Sequence, residues 1–388
     1  MEFSHKLDRF SSGVFTQLKE GKERLAAKGV EVIDLGVGTP DLPPAPHVIE
    51  ALREAAADPA NYVYAINDRP QLLEAAARWY DRRFGVKLDA HTQIVSLMGS
   101  QDGLAHLPMA LLDPGDTVLV PDPSYPIFSM GPYLAGARLV GVPQKPENGY
   151  IMDLRDISQE DARRAKLMVV SYPNNPVGRH APDSFYRDLV AFAREYDIAV
   201  LHDNAYCELR FDGLNVGSFL QYPGAMDVGV ELNSLSKTYS MPGVRMGFCL
   251  GNADMVARLR TFKSHIDYGA FLPLQIAAEA ALNGPQDQVE RTRATYERRR
   301  DVFCDGLNAI GWPVEKPQAT MFVWARIPGG YDDDARFCLE LMERTGVIVV
   351  PGSSFGEMGR GHIRAALVRD EDTLRRAVER IAASGMLG

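Results

Sequence analysis

Cysteine is scarce in this chain: four among 388 residues, Cys207, Cys249, Cys304 and Cys338, with no CxxC pair. Spacing that wide excludes a dense disulfide framework and a thiolate metal centre, so the four read as reduced thiols. Histidine is thin too, eight in all without HxxxH or comparable ligand spacing, and no metal is expected. Positive charge is in short supply. Lys+Arg total 42 against 51 for Asp+Glu, a net charge of −9 that offers nothing to a phosphate backbone or an anionic lipid surface. Neither nucleic acid nor membrane is an expected partner. Long apolar runs are missing: the most apolar stretch, Ala270–Leu282, is broken by Gln275 and Glu279 and is too short to span a bilayer. The first ten residues mix charges of both signs and lack an export-signal core, which makes the cytoplasm the expected compartment.

What is present is the size and composition of a two-domain globular protein. Short β-rich runs, Ile94–Met98, Thr117–Val120, Leu167–Tyr172, Ile198–His202, Val228–Asn233 and Met246–Leu250, alternate with amphipathic stretches such as Asp183–Tyr196. Strands without clean alternation, separated by helices, predict an α/β fold whose doubly wound sheet is mostly parallel and covered on both faces. After about Gly284 the pattern changes to a long charged helix, Gln286–Ile310, then strands near Phe322–Ile327 and Val347–Val350, then a helix over Asp370–Ser384. A large domain over residues 47–284 is therefore expected, with a smaller α+β domain made of 285–388 and part of 1–46, the rest of which forms an N-terminal arm.

Ligands of open parallel sheets bind beyond the carboxyl ends of the strands. Three such ends are polar: Asn174 and Asn175 follow one strand, Asp203 and Tyr206 the next, and Ser234-Leu235-Ser236-Lys237 a third. A lysine at one strand end and a carboxylate one strand away are what a pyridoxal cofactor needs, an amine for its aldehyde and an anion for its ring nitrogen. A phosphate would find free N–H groups where Gly99-Ser100-Gln101-Asp102 opens the helix Gly103–Leu112, completed by Ser234, Ser236 and the planar fork of Arg245. Tyr125, in Pro123-Ser124-Tyr125-Pro126, offers a ring face.

These residues carry a resemblance. Ser234-Leu-Ser-Lys237-Thr-Tyr-Ser-Met-Pro-Gly-Val-Arg245-Met-Gly247, with Tyr172-Pro-Asn-Asn175-Pro-Val-Gly178 and His202-Asp203-Asn-Ala-Tyr206, resembles the class I/II aminotransferases of the pyridoxal-phosphate fold-type I superfamily. The likeness runs from Ile33-Asp-Leu-Gly-Val-Gly38 to Gly361-His-Ile-Arg364. Within that superfamily, Trp79–Gly85, His265–Gly269 and Tyr296–Asp301 are most similar to LL-diaminopimelate aminotransferases and alanine–glutamate transaminases. The resemblance implies a ping-pong exchange between an L-amino acid and a 2-oxo acid, with glutamate and 2-oxoglutarate as one pair. LL-diaminopimelate or alanine would supply the other.

It implies further that Lys237 holds the cofactor and carries the substrate proton, while Asp203 keeps the pyridine nitrogen protonated. Tyr206 and Asn175 would bond the ring oxygen, Tyr125 would stack on the ring, and Ser100, Gln101, Ser234, Ser236 and Arg245 would hold the phosphate. Arg364 would clamp the substrate carboxylate, with Gly38 offering backbone there and Asn175 alongside. Tyr64 would reach the cofactor phosphate of the other subunit in a homodimer. Residues 264–271, with Asp267 and Tyr268, and Val14-Phe15 would face the substrate side chain across that interface. Two positions depart from the family pattern: Val177 replaces a threonine, and Asn67-Asp68-Arg69 stands where a glycine usually follows, leaving the placement of Tyr64 open.

Plainer readings exist. Lys237 alone is a surface lysine, Asp203 a turn residue or cap, Ser100 a helix cap, Tyr125 core, Ser236 a satisfied loop hydroxyl and Arg364 a strand-end arginine. Arg298-Arg299-Arg300 reads as a solvated helix face with partners such as Glu297 and Asp301, and His202 as packed in the sheet. Rival classes fare worse. Ser234-Leu-Ser-Lys237 also spells SxxK, but the SDN and KTG partners are missing. Gly36-Val-Gly38-Thr-Pro40 imitates a dinucleotide fingerprint without its third glycine. An effector-binding domain fused to a DNA-binding module would bring a basic helix-turn-helix, and none is appended. A cysteine-type β-lyase uses the same cofactor residues and stays open.

Overall fold

The computed structural model describes residues 1–10 and 13–387. Its strands, in chain order, are β1 (Ile33–Asp34), β2 (Ile94–Leu97), β3 (Thr117–Asp122), β4 (Arg138–Pro143), β5 (Ala165–Ser171), β6 (Ala199–Asp203), β7 (Gly229–Ser234), β8 (Gly247–Gly251), β9 (Phe322–Arg326), β10 (Val347–Ile348), β11 (Val350–Pro351) and β12 (His362–Ala366). Seven of them form one sheet in the order β2-β8-β7-β6-β5-β3-β4. Residues of β2 and β5 to β8 are buried almost throughout, as expected of strands covered by helices on both faces. Helix Asp183–Tyr196 shows how the cover is made: Phe185, Tyr186, Leu189, Val190 and Ala193 fall on one buried stripe at helical spacing.

The α/β expectation holds, with three adjustments. β8 runs antiparallel to both β2 and β7, so the sheet is mixed. β4 was not foreseen; it is an edge strand whose Arg138-Leu-Val-Gly-Val-Pro143 run is largely half-exposed, so it carries neither alternation nor a continuous apolar block. The run Val347–Val350 divides at Val349. β10 pairs in parallel with β1, whereas β11 pairs with β12 in a three-stranded antiparallel sheet, β11-β12-β9.

A second buried cluster joins Ile33 and Leu35 to Phe303, Leu307, Phe337, Leu341, Ile363, Ala377 and Ile381, so residues near 33–35 pack with the last hundred. Helix Asp287–Ala309 crosses this cluster and corrects the reading of its arginine run. Arg299 and Arg300 are 4% and 1% exposed, not solvated. Arg299 donates to both Asp41 oxygens at 2.7 and 2.8 Å, Arg300 to both Asp212 oxygens at 2.5 and 2.9 Å and also to Asp301, and only Arg298 keeps to the surface against Glu371. A polar triplet on a helix says nothing about carboxylates supplied from 88 and 258 residues away. Among the described residues, no helix is long and apolar enough to cross a membrane.

Candidate active site

The carboxyl ends of β5, β6 and β7 open into a cavity of about 590 Å³, to which the antiparallel sheet contributes Phe322 of β9 and Arg364 of β12. Ser100, Gln101, Tyr125, Asn175, Asp203, Tyr206, Ser234, Ser236, Lys237, Arg245, Gly38 and Arg364, all singled out from the sequence, line it together. Lys237 follows β7 in a single helical turn, Leu235–Thr238, capped by the Ser234 side chain. Its Nζ donates to the Gly38 carbonyl at 2.9 Å. Burial, reinforced by the Arg364 and Arg245 charges, brings the ammonium down to about 8. Asp203, the last residue of β6, moves the other way, up to about 7, because it is buried and the Glu231 carboxylate lies behind it in the sheet.

Arg364 sits on β12, directly opposite Trp324 of β9. Its guanidinium is sandwiched between the rings of Phe322, at 4.1 Å, and Phe355, at 4.7 Å. Nη1 donates to Asn175 Oδ1 at 3.1 Å and Nη2 to the Gly36 carbonyl at 2.8 Å. Burial lowers it to about 10, still cationic at neutral pH. Tyr206 packs its ring edge on Phe322, and burial raises its phenol.

The phosphate end is built by the helix Ser100–Leu111, which begins three residues earlier than expected. Its N-cap, Gly99, has φ 78°, which favours glycine, and a Cβ there would have to push the Arg245 guanidinium aside. Arg245 donates to the Pro242 carbonyl and reaches over this turn toward the Met98 carbonyl. Ser100 does not cap the helix through its side chain.

Three buried polar atoms at the cavity have no partner among the described residues: Asp203 Oδ1, Ser236 Oγ and Arg364 Nε. They are an acceptor for a ring N–H, a donor for a phosphate oxygen and a donor for a carboxylate, which fits pyridoxal phosphate and an amino acid. Phe322 and Gly36 also line the cavity and hold Arg364, and both were missed from the sequence. Phe322 is one apolar residue in an apolar strand, and Gly36 acts only through its carbonyl.

Tyr64 stands outside this cavity. It is 84% exposed, with its ring 6.0 Å from that of Tyr268, in an exposed apolar patch with Tyr62, Val63, Ile66, Ile266 and Phe271. The unusual Asn67-Asp68-Arg69 segment is pinned: Asp68 accepts from Ser96 N at 2.9 Å and from its hydroxyl, and Arg69 N donates to Gln275. Gly269 N donates to the Ala65 carbonyl, which ties the two aromatic loops together. Both Asp267 oxygens take hydrogen bonds from Lys263. The Val177 departure also has a reason, because its side chain packs with Trp324, Val350 and Phe355 where a hydroxyl would be buried.

Fold and cavity together define a pyridoxal-phosphate enzyme of fold type I. Residues 30–381 match the model of the family aminotransferase class I and II, and the chain belongs to that family. It is similar to the LL-diaminopimelate aminotransferases of Moorella thermoacetica, 42% identical over 98% of both chains, and Desulforudis audaxviator, 47% identical over 93% of this chain and 92% of that one. Among solved structures it is similar to apo BacF from Bacillus subtilis, 38% identical, with a TM-score of 0.96 over the full length of both chains. The chain is therefore a pyridoxal-phosphate-dependent aminotransferase acting on small amino and 2-oxo acids.

Proposed function

We propose that this aminotransferase pairs glutamate and 2-oxoglutarate with LL-diaminopimelate, or with alanine as the smaller alternative, and works as a homodimer in the cytoplasm. The observation that carries the site reading is the convergence of Lys237, Asp203 and Arg364 on one cavity, with Asp203 Oδ1 and Arg364 Nε buried and unpartnered. The names of the curated relatives support diaminopimelate. Pyridoxal phosphate, when bound, supplies an aldehyde for the amino group and a ring that accepts the electron pair left at the substrate Cα.

The chain's residues do the rest. Lys237 Nζ would carry the proton from the substrate Cα to the carbon that bears the cofactor's aldehyde, and its lowered basicity gives it a usable free-amine fraction near neutral pH. Asp203 holds a proton on the ring nitrogen, and Tyr206 and Asn175 bond the ring oxygen. Tyr125 covers the ring face. Ser100, Gln101, Ser234, Ser236 and Arg245 hold the phosphate, and Arg364 orients the substrate carboxylate between two aromatic rings that exclude water. We further read residues 47–284 as the large domain and 285–388 with part of 1–46 as the small one, the substrate lying between them. The exposed apolar patch around Tyr64 faces the second copy and delivers its hydroxyl to that copy's phosphate.

A half-reaction scan tests this. The holoenzyme is mixed with single amino acids and the visible cofactor band followed. Bleaching by glutamate and by LL-diaminopimelate or alanine, reversed by 2-oxoglutarate, is the expected result. Pyruvate released from cysteine-type donors without reversal would make it a β-lyase instead. A monomer by sedimentation would remove the role of Tyr64.

A further inference from the structure

Behind the phosphate helix lies a charge cluster that no part of the reaction accounts for. Asp102 occupies the first turn of the helix Ser100–Leu111, next to Gln101, and its side chain is 5% exposed. One oxygen accepts from Met98 N at 2.8 Å and from Lys263 Nζ at 2.5 Å, while the other lies 2.6 Å from His106 Nδ1. Lys263 is itself buried on the helix Ala253–Ile266 and donates onward to Asp267 at 3.0 and 3.1 Å. Asp102, His106 and Asp267 could gather around a metal ion, but the Lys263 ammonium already stands between the two carboxylates.

Electrostatics makes this arrangement consequential. A helix N-terminus attracts one anion, and Asp102 is an anion placed there permanently. Burial alone would push its carboxyl up, but the His106 and Lys263 partners outweigh that and hold it below the usual carboxylate range. An unbalanced Asp102 would repel a cofactor phosphate arriving at Ser100 and Gln101 in the same turn. Lys263, with His106, offsets that charge while also pairing with Asp267, and its backbone carbonyl takes the amides of Asp267 and Tyr268, which ties down the loop that carries Tyr268.

We propose that Lys263 is a positioning residue for cofactor binding: by neutralising Asp102 from behind, it frees the helix N-terminus at Ser100 and Gln101 to take the cofactor phosphate. This rests on the reading of those residues as the phosphate cradle, and the test separates the two. Dissociation constants of the apoprotein are measured by absorbance titration for pyridoxal phosphate and for pyridoxal, which condenses with Lys237 but has no phosphate. Wild type should strongly prefer the phosphorylated form; equal affinities would refute the cradle itself.

Lys263→Met should weaken pyridoxal phosphate about 10- to 100-fold and pyridoxal less than about threefold. Lys263→Arg should stay near wild type, and the double variant Asp102→Asn, Lys263→Met, which removes the Asp102 charge together with its lysine and leaves only the half-buried Asp267 without that partner, should recover most of the lost affinity. The proposal is overturned if Lys263→Met binds the phosphorylated form normally, or loses both ligands alike as a general loosening would. Should that variant fail to fold, the double variant decides: near-normal preference for the phosphate supports charge balance, and a lost preference refutes it.

Discussion

Replacing Arg364 with alanine should cost the enzyme its grip on the substrate carboxylate without costing it its fold. A guanidinium carries five N–H donors. The chain uses one on Asn175 and one on the Gly36 carbonyl, and Nε has none to serve. No carboxylate among the described residues pairs with it, so truncation leaves no orphaned anion behind, and the apoprotein's thermal midpoint should move by only a few degrees. With substrate present the same site is a desolvated charge pair, and removing one partner of such a pair costs about 2–5 kcal/mol. That corresponds to roughly 30- to 4,000-fold in kcat/KM for the half-reaction. Lysine should fall between, since a point charge cannot make the bidentate contact. The informative assay compares an L-amino acid with the amine that lacks its carboxylate. Wild type should discriminate strongly, and Arg364→Ala should lose most of that preference. Retention of kcat/KM to within about threefold, with the preference intact, would show that the carboxylate binds elsewhere.

Lys237→Ala should abolish turnover while still binding pyridoxal phosphate through its phosphate, with the visible band shifted; near-normal transamination by this variant would end the assignment. Asp203 gives a pH signature in the apoprotein. Its pKa is raised to about 7 by burial, against about 3.9 in the unfolded chain, so its contribution is intact below pH 4 and is lost as pH climbs through 7. The unfolding free energy of Asp203→Asn from urea titration should therefore gain on wild type between pH 4 and 7.5, by an amount on the order of 4 kcal/mol, and parallel curves would contradict the burial argument. Gly99→Ala should weaken cofactor binding by displacing Arg245, with backbone strain of about 1–2 kcal/mol showing as a lower apo midpoint. An unchanged dissociation constant would mean that Arg245 is not part of the cradle.

The strand ends were legible because the chemistry recurs at one topological place: a polar residue after each of β5, β6 and β7 can only gather at the carboxyl edge of a parallel sheet. Lys237, Asp203 and Asn175 were found that way, and Arg245 from the fit of its planar fork to a phosphate. Arg364 comes from another sheet more than a hundred residues on, and only the family resemblance placed it. Interactions between distant segments stayed hidden for the same reason. Arg299 and Arg300 look solvated until Asp41 and Asp212 arrive, and Asp102 reads as a loop residue until the helix bearing Lys263 packs on it. Edge strand β4 escaped because half-exposed residues carry no periodic signal.

The pairing of β1 with β10 has a consequence in time. Ile33 hydrogen-bonds alongside Val347, about three hundred residues later in the chain. At a synthesis rate of about 5–20 residues per second, the partner of β1 emerges some 15–60 s after β1 itself. Gly36 and Gly38 follow directly on β1 and form one wall of the cavity, and Gly36 waits also for Arg364. Over about the last third of that interval, once β8 has been made, the seven-stranded sheet has every strand it needs and Lys237 and Asp203 are in the chain, while the wall that shields them is not yet anchored. The nascent chain thus passes through a stage in which its reactive lysine is assembled and open to solvent, and in which cofactor present in the cell can enter before the substrate site exists.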